Sequence, residues 1–147
     1  MDILQQTVAI NRNISLSQLS ASQTSTGLFE LAGFDMVKEV RGMGLLNGVE
    51  LAPPKKITMR AIYEAFHEIH PAMFGQVVVM RMYREKGFLT QICGNNFMVL
   101  KAAPPLVVNE EQLNHFVAAI RDVVELAETS AGFWTEALNM ARRAVNI

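Results

Sequence analysis

The rhythm of hydrophobic and polar positions changes at residue 28. The stretch NRNISLSQLSASQTSTG scatters Ile14, Leu16 and Leu19 among small polar residues and has no charge between Arg12 and Glu30. It holds too few large apolar side chains for a core, so residues 1–27 read as a polar arm or irregular lead-in. Beyond it, LFELAG predicts a short helical turn closed by Gly33. Val37 to Val40 lead into RGMGLLNGVEL, where residues 45–51 read as a strand stopped by Pro53-Pro54. Ile57, Ala61, Tyr63-Glu64-Ala65 and Ile69 keep helical spacing over residues 57–69. Pro71 interrupts that helix and opens another over 72–86, which Gly87 closes. FLTQIC and FMVLKA flank Gly94-Asn95-Asn96 and predict two antiparallel strands, the second ended by Pro104-Pro105. Asn109 is placed to cap the next helix, with Glu110 and Glu111 at the positive end of its dipole. Leu113, Phe116, Val117, Ile120, Val124 and Ala127 form its apolar stripe. After a break at 130–132, Trp134, Ala137, Leu138, Ala141 and Val145 mark a final helix.

The order is strand, helices, two strands, two helices, with no internal repeat. It predicts an α+β fold in which a small sheet of three or four strands is covered by helices. Residues 109–128 are expected to pack on that sheet and to bury Val117, Ile120 and Val124. The chain divides into the arm at 1–27, a domain at 28–129 and an additional helix at 130–147 packed on it.

Composition narrows the setting. The 147 residues are 50% hydrophobic and 18% charged, which suits a folded domain and excludes wholesale disorder. Thirteen basic and fourteen acidic residues leave a net charge of -1, so no nucleic acid or membrane partner is expected. The apolar runs fall well short of the ~20 residues that span a bilayer. MDILQQTVAINRN has no basic start followed by a long apolar block, as a signal peptide would. A lone cysteine, Cys93, forms no internal disulfide and reads as a buried thiol, consistent with a cytoplasmic protein.

Few residues offer chemistry on their own. The glycines of RGMGLLNG come before and inside a strand, whereas a phosphate loop needs them between a strand and a helix. His67 and His70 lack the i,i+4 spacing of a zinc-binding helix pair and read as surface or capping histidines. Cys93 has no histidine at a nucleophile's spacing, and Arg81, Arg84 and Lys86 read as a solvated helix face. Met73, Met80, Met82 and Met98 read as core filling. On the residues alone, this is an α+β domain without a self-contained catalytic set, and no metal site is expected.

Two segments say more together. VRGMGLLNGVEL, with Arg41, Gly42, Gly44, Gly48 and Glu50, resembles the VRG-x-GL-x-x-G-x-E segment of the class III aminotransferases. These are the pyridoxal-phosphate enzymes of ornithine, acetylornithine, 4-aminobutyrate and putrescine. VLKAAPPLVVNEEQLNHFVAAI, with Pro104, Pro105 and Leu106, is similar to that family's strand, PPL turn and final-helix onset, and GFLTQICG between them fits the same order. The resemblance covers residues 35–129 and implies the small C-terminal domain of a fold-type I enzyme, which closes over substrate. The segment KKITMRAIYEAFHEIHPAMFGQVVVMRMYREKG is longer than the family's usual connection, and the helix after Ser130 is extra.

In that family a large domain supplies the Schiff-base lysine, the aspartate facing the pyridine nitrogen, the stacking ring and the phosphate loop. Lys38, Lys55, Lys56, Lys86 and Lys101 all fall in or near small-domain segments. The resemblance therefore implies no catalytic residue and no cofactor in the isolated chain, with pyridoxal phosphate belonging to the intact parent enzyme. Lys101 stands where many relatives carry an arginine that salt-bridges the substrate carboxylate, and is the one substrate-binding candidate. The implied partner is the missing large domain. Self-association through the uncovered face is the other expectation, giving a homo-oligomer, with the arm or the Trp134 helix exchanged between chains. A non-enzymatic interaction module and a small-molecule-sensing domain stand as the alternative functions.

Overall fold

The computed structural model describes residues 27–94 and 96–145. The arm, up to residue 26, and Asn95 of the expected turn lie outside the described residues. Leu28 and Leu31 anchor a 3₁₀ turn, Glu30–Gly33, by complete burial. The elements that follow are β1 (Val37–Met43), β2 (Leu46–Leu51), α1 (Ile57–Ile69), α2 (Met73–Lys86), β3 (Gln91–Cys93), β4 (Val99–Ala102), α3 (Glu110–Thr129) and α4 (Ala131–Val145). The strands form one antiparallel sheet in the order β1-β2-β4-β3. The α+β class with a four-stranded sheet and covering helices is the one expected.

The lead-in to the first expected strand is itself a strand. β1 pairs with β2 across a two-residue loop, Gly44-Leu45, with Met43 opposite Leu46. Gly44 has φ of +61° at the first loop position, as a type II′ turn requires, and that turn matches the twist of the strands it joins. Gly42 faces Asn47, whose Oδ1 would lie 2.1 Å from a Cβ at residue 42. Asn47 fills that space and donates from Nδ2 to the Gly44 carbonyl at 3.2 Å. The glycine spacing of RGMGLLNG is thus a hairpin signal, which a single-strand reading misses.

Strands β3 and β4 are shorter than FLTQIC and FMVLKA suggested. Gly94 and Phe97 both take positive φ, +87° and +51°, so the chain leaves extended geometry between them. Phe97 consequently does not continue the strand row of Val99 and Lys101; its ring lies 6.1 Å from that of His70.

All of the helix bounds fall within a residue or two of those expected, but one face differs. Helix α1 buries Met59, Tyr63 and Phe66, while Ile57 and Ile69 are exposed. Tyr63 alone of the expected positions is buried; Met59 and Phe66 join it, because they rather than Ile57, Ala61, Ala65 and Ile69 turn to the core. Helix α3 starts in a capping box: Asn109 accepts from Gln112 N at 2.8 Å, and Gln112 accepts from Asn109 N at 3.1 Å. It buries Val117, Ile120 and Val124. Val123, Val124 and Ala127 of α3 meet Leu51 of β2 around one small internal void with Phe74 and Val78.

Helix α4 packs within its own chain. Trp134 is fully buried, stacks on Phe74 with ring centroids 5.6 Å apart, and donates from Nε1 to the Ala127 carbonyl at 2.9 Å. Ala141 and Val145 lie outside the described side chains. Arg81 is not on a solvated face: only 9% exposed, it pairs with Glu85 at 2.9 Å and with Glu136 of α4. Its guanidinium also lies 4.8 Å from the Phe133 ring centroid. The helix pattern hid this, because its carboxylate and aromatic partners come from 55 and 52 residues further along the chain.

Gly75 of α2 lies against the β3–β4 connection, where an added Cβ would stand 2.7 Å from the Phe97 carbonyl oxygen and 2.6 Å from Ile92 Cγ1. Gly75→Ala gains about 1 kcal/mol of helix propensity and loses this approach. The clash with fixed backbone dominates, so urea unfolding should show a net loss of about 1–3 kcal/mol. A stabilised variant would mean that α2 does not sit this close.

Candidate functional site

Side chains alternate across the sheet, and one face turns away from the buried core. In-register pairing sets Glu39, Glu50, Val99 and Cys93 in one outward row and Arg41, Gly48, Lys101 and Gln91 in the next. Glu39 lies directly opposite Glu50, a repulsive placement for two carboxylates. A register shift between Val37 and Glu39 lets Lys38 turn to the same patch. Lys38 Nζ then meets Glu50 Oε1 at 2.6 Å, and Arg41 Nη1 donates to Glu50 Oε2 and, at 2.8 Å, to Glu39 Oε2. The hydrogen bond from Lys38, then that from Arg41, holds the Glu50 carboxyl below its ordinary value, with burial opposing. The Arg41 guanidinium is raised in turn, chiefly by its hydrogen bond to Glu50.

This patch forms one wall of an open cleft of about 560 Å³. Helix α1 supplies the other wall through Tyr63, Glu64, His67 and Glu68. Tyr63 is 7% exposed, and its hydroxyl donates to Met98 Sδ at 3.5 Å, a weak acceptor. Burial raises the Tyr63 phenol, against the opposing charge of Arg60, so it stays protonated through neutral pH. Glu64 is held by Arg60 at 3.0 Å, and His67 stacks on Tyr63 with centroids 6.0 Å apart. His70 has a capping role: its Nδ1 accepts the Ala72 N–H at 3.0 Å, at the start of α2. The sequence marks none of these α1 residues for binding, since a helix face gives no sign of the strand it will stand beside.

Lys101 lies elsewhere, in a smaller cleft of about 290 Å³ walled by Phe88, Pro104, Pro105, Leu113 and Phe116. Thr90 Oγ1 is spent on the Lys101 carbonyl at 2.6 Å, and Gln112 is spent on the capping box. The half-buried Lys101 is the only charged group lining this cleft among the described residues. Leu106, 72% exposed, leaves the PPL turn facing outward beside it. Of the motif residues, Gly42, Gly44 and Gly48 build the hairpin and Arg41 and Glu50 the ion patch; Pro104 and Pro105 end β4 and wall the second cleft. Gly48 stands between Arg41 and Lys101 in register, with Val99 Cγ1 2.9 Å from where a Cβ would be.

A pyridoxal phosphate site needs a free lysine, an acid for the ring nitrogen and a cradle of backbone N–H groups for the phosphate. Lys38, Lys55 and Lys86 are held by Glu50, Asp35 and Asp122 at 2.5–2.6 Å, and Lys56 is exposed ahead of α1 in a recess of about 130 Å³, below the size of a small-molecule site. Lys101 stands in an apolar cleft whose lining offers no acid among the described residues. The described residues do not fit the cofactor.

With this geometry in view, the class-III aminotransferase family profile matches residues 5–124. The chain belongs to the class-III aminotransferase family. The match begins inside the polar segment, upstream of the stretch that carries the sequence resemblance. Among curated relatives, gamma-aminobutyrate transaminase 1, mitochondrial, of Oryza sativa subsp. indica is 27% identical over 103 residues, 69% of this chain and 18% of the relative. The protein of the same name from subsp. japonica matches equally. Among solved structures, the omega transaminase of Pseudomonas jessenii in complex with PMP superposes with a TM-score of 0.63 at 21% identity, over 83% of this chain and 24% of that one. The adenosylmethionine-8-amino-7-oxononanoate aminotransferase of Methanocaldococcus jannaschii gives 0.62 at 21%, over 82% and 25%. These structures share the fold. The chain spans about a fifth of the curated relatives and a quarter of the solved chains.

The Glu50 patch carries a pH signature. A carboxyl depressed by folding contributes stability above its unfolded pKa, near 4.5, and loses that contribution as pH falls through the lower folded value. Chemical denaturation followed from pH 6 to about 3 should therefore show an acid limb that Glu50→Gln makes shallower. An unchanged limb would remove Glu50 from the acid response.

Proposed function

We propose that this chain is the small C-terminal domain of a pyridoxal-phosphate-dependent class-III aminotransferase acting on an amino acid or amine. The observation that carries the reading is the family match over 5–124 joined to a fold that superposes on about a quarter of each transaminase chain. When bound in the complete enzyme, the cofactor supplies the electron sink for amine transfer. This domain's part is to close over the substrate, exclude water and present the lining of the Lys101 cleft. On this reading the isolated chain binds no cofactor covalently and does not transaminate.

Purified chain titrated with pyridoxal phosphate should give no protein-bound aldimine absorbance, and borohydride should fix no label on it. A stable, reducible adduct on one lysine would overturn the claim that the cofactor lysine lies in another domain.

Lys101 then acts as the counter-charge for a substrate carboxylate. Its ammonium is a flexible point charge, without the planar two-pronged grip of arginine. Lys101 stands among the apolar walls of its cleft, with Phe88, Leu113 and Phe116. With the large domain restored in trans, Lys101→Ala should lower kcat/KM on carboxylate-bearing amines by about 10-fold or more and leave carboxylate-free amines within about two-fold. Equal losses on both classes, or none on either, would reject the role. Lys101→Arg should retain or raise activity on the acidic class.

A further inference from the structure

The larger cleft has features that the aminotransferase reading leaves unused. Both ion pairs of Arg41 run through Nη1, so Nε and Nη2, the edge that grips a carboxylate with two parallel hydrogen bonds, have no partner among the described residues. Lys38 and Arg41 balance Glu50 and Glu39 in charge, so what this wall offers an anion is the free hydrogen-bonding edge of Arg41. Across the cleft, Glu68 of α1 has no ion-pair partner among the described residues, whereas Glu64 beside it is paired with Arg60. Tyr63, more than nine-tenths buried, lines the same space with a hydroxyl that has found only a thioether. A buried phenol with so weak a partner retains most of its hydrogen-bonding capacity. Pro53, Met98 and Val99 add apolar surface to the lining, and His67 and Asn96 add further polar groups. The volume of about 560 Å³ falls in the range of small-molecule sites, about 300–1,000 Å³.

A free guanidinium edge on one wall and an unpaired carboxylate on the other match a ligand that carries both signs. We infer that this cleft binds a free α-amino acid with an apolar side chain. Its carboxylate lies on the Nε/Nη2 edge of Arg41, its ammonium on Glu68, and its side chain against Pro53, Met98 and Val99. Tyr63 offers its hydroxyl to the carboxylate. A simple anion meets Glu68 and a simple cation meets the Lys38–Arg41 wall, so the zwitterion is selected over either half. The inference uses no cofactor and stands whether or not the chain is part of an aminotransferase.

The test titrates the purified 147-residue chain with L-leucine, L-leucinamide and 4-methylpentanoate. Binding is followed by calorimetry and by ¹H–¹⁵N spectra. L-Leucine should bind saturably and shift the amide signals of Gly94, Asn96 and Met98. Leucinamide, which lacks the carboxylate, and 4-methylpentanoate, which lacks the ammonium, should each bind about 10-fold more weakly or worse. Glu68→Gln, on an exposed helix face where folding is not at stake, should weaken L-leucine several-fold and leave 4-methylpentanoate no weaker. Arg41→Gln should weaken both leucine and 4-methylpentanoate, with an unfolding curve confirming that the sheet persists. Tyr63→Phe should lower leucine affinity without moving the other signals of the core. No saturable binding at about 10 mM L-leucine overturns the inference, as do equal affinities for the three compounds or shifts confined to the Lys101 cleft.

Discussion

The close approach of helix α2 to the sheet is the constraint on which the other contacts depend. Helix α2 buries Phe74, Val77, Val78 and Met82, and its Gly75 permits backbone at Phe97 to come within what a methyl group would occupy. From that position Phe74 reaches Tyr63 of α1 on one side and Trp134 of α4 on the other, at ring-centroid distances of 5.5 and 5.6 Å. Three helices thus meet on one ring. Large aromatic surfaces contribute heavily to burial, and edge and stacked geometries add to it. Arg81, about two helical turns further on, extends the same seam to α4 through Glu136 and Phe133. A buried guanidinium held at Nη1 and Nη2 and over a ring, with Nε left without a partner among the described residues, fixes the helix pair more than it adds to net stability, because desolvation offsets much of the attraction.

The opposite face of the sheet obeys a different rule. Helices only flank the outward rows, α1 beside Glu50 and α3 beside Lys101, and the polar groups between β1 and β2 are arranged by charge rather than by packing. Two glutamates face each other across β1 and β2, and the arrangement is tolerated because two cations stand over them. The same residues then form half of the larger cleft. The strain-relieving network and the candidate ligand wall are one feature, which is why Arg41 presents an unpaired edge: its paired nitrogen is committed to the carboxylates, and the planar fork leaves the other side outward.

Much of the fold was legible in the chain itself. Asn109 with Gln112, Gly87 after Lys86, and Pro53-Pro54 after Leu51 are local devices whose meaning does not depend on distant residues, so helix and strand limits followed from them. The hairpin of β1 and β2 was half hidden. Its glycines permit close approach or unusual dihedrals, but only the pairing of Gly42 with Asn47 shows that they fold one strand back on another. The order of Lys101 before the PPL turn was equally visible, whereas its placement among Phe88, Leu113 and Phe116 was not.

The sequence by itself determined the class of fold, the family motifs and the lengths of the helices, because periodicity, caps and turn residues act over a few positions. Only the tertiary structure decided which faces met. It turned Met59 and Phe66 inward in place of Ile57 and Ile69, buried an arginine that a helical pattern puts in water, and set Arg41 across a cleft from Glu68. Those outcomes depend on the strand order β1-β2-β4-β3 and on packing between segments far apart in the chain. No local pattern encodes such distances, since each side chain's environment is set by what another element brings to it.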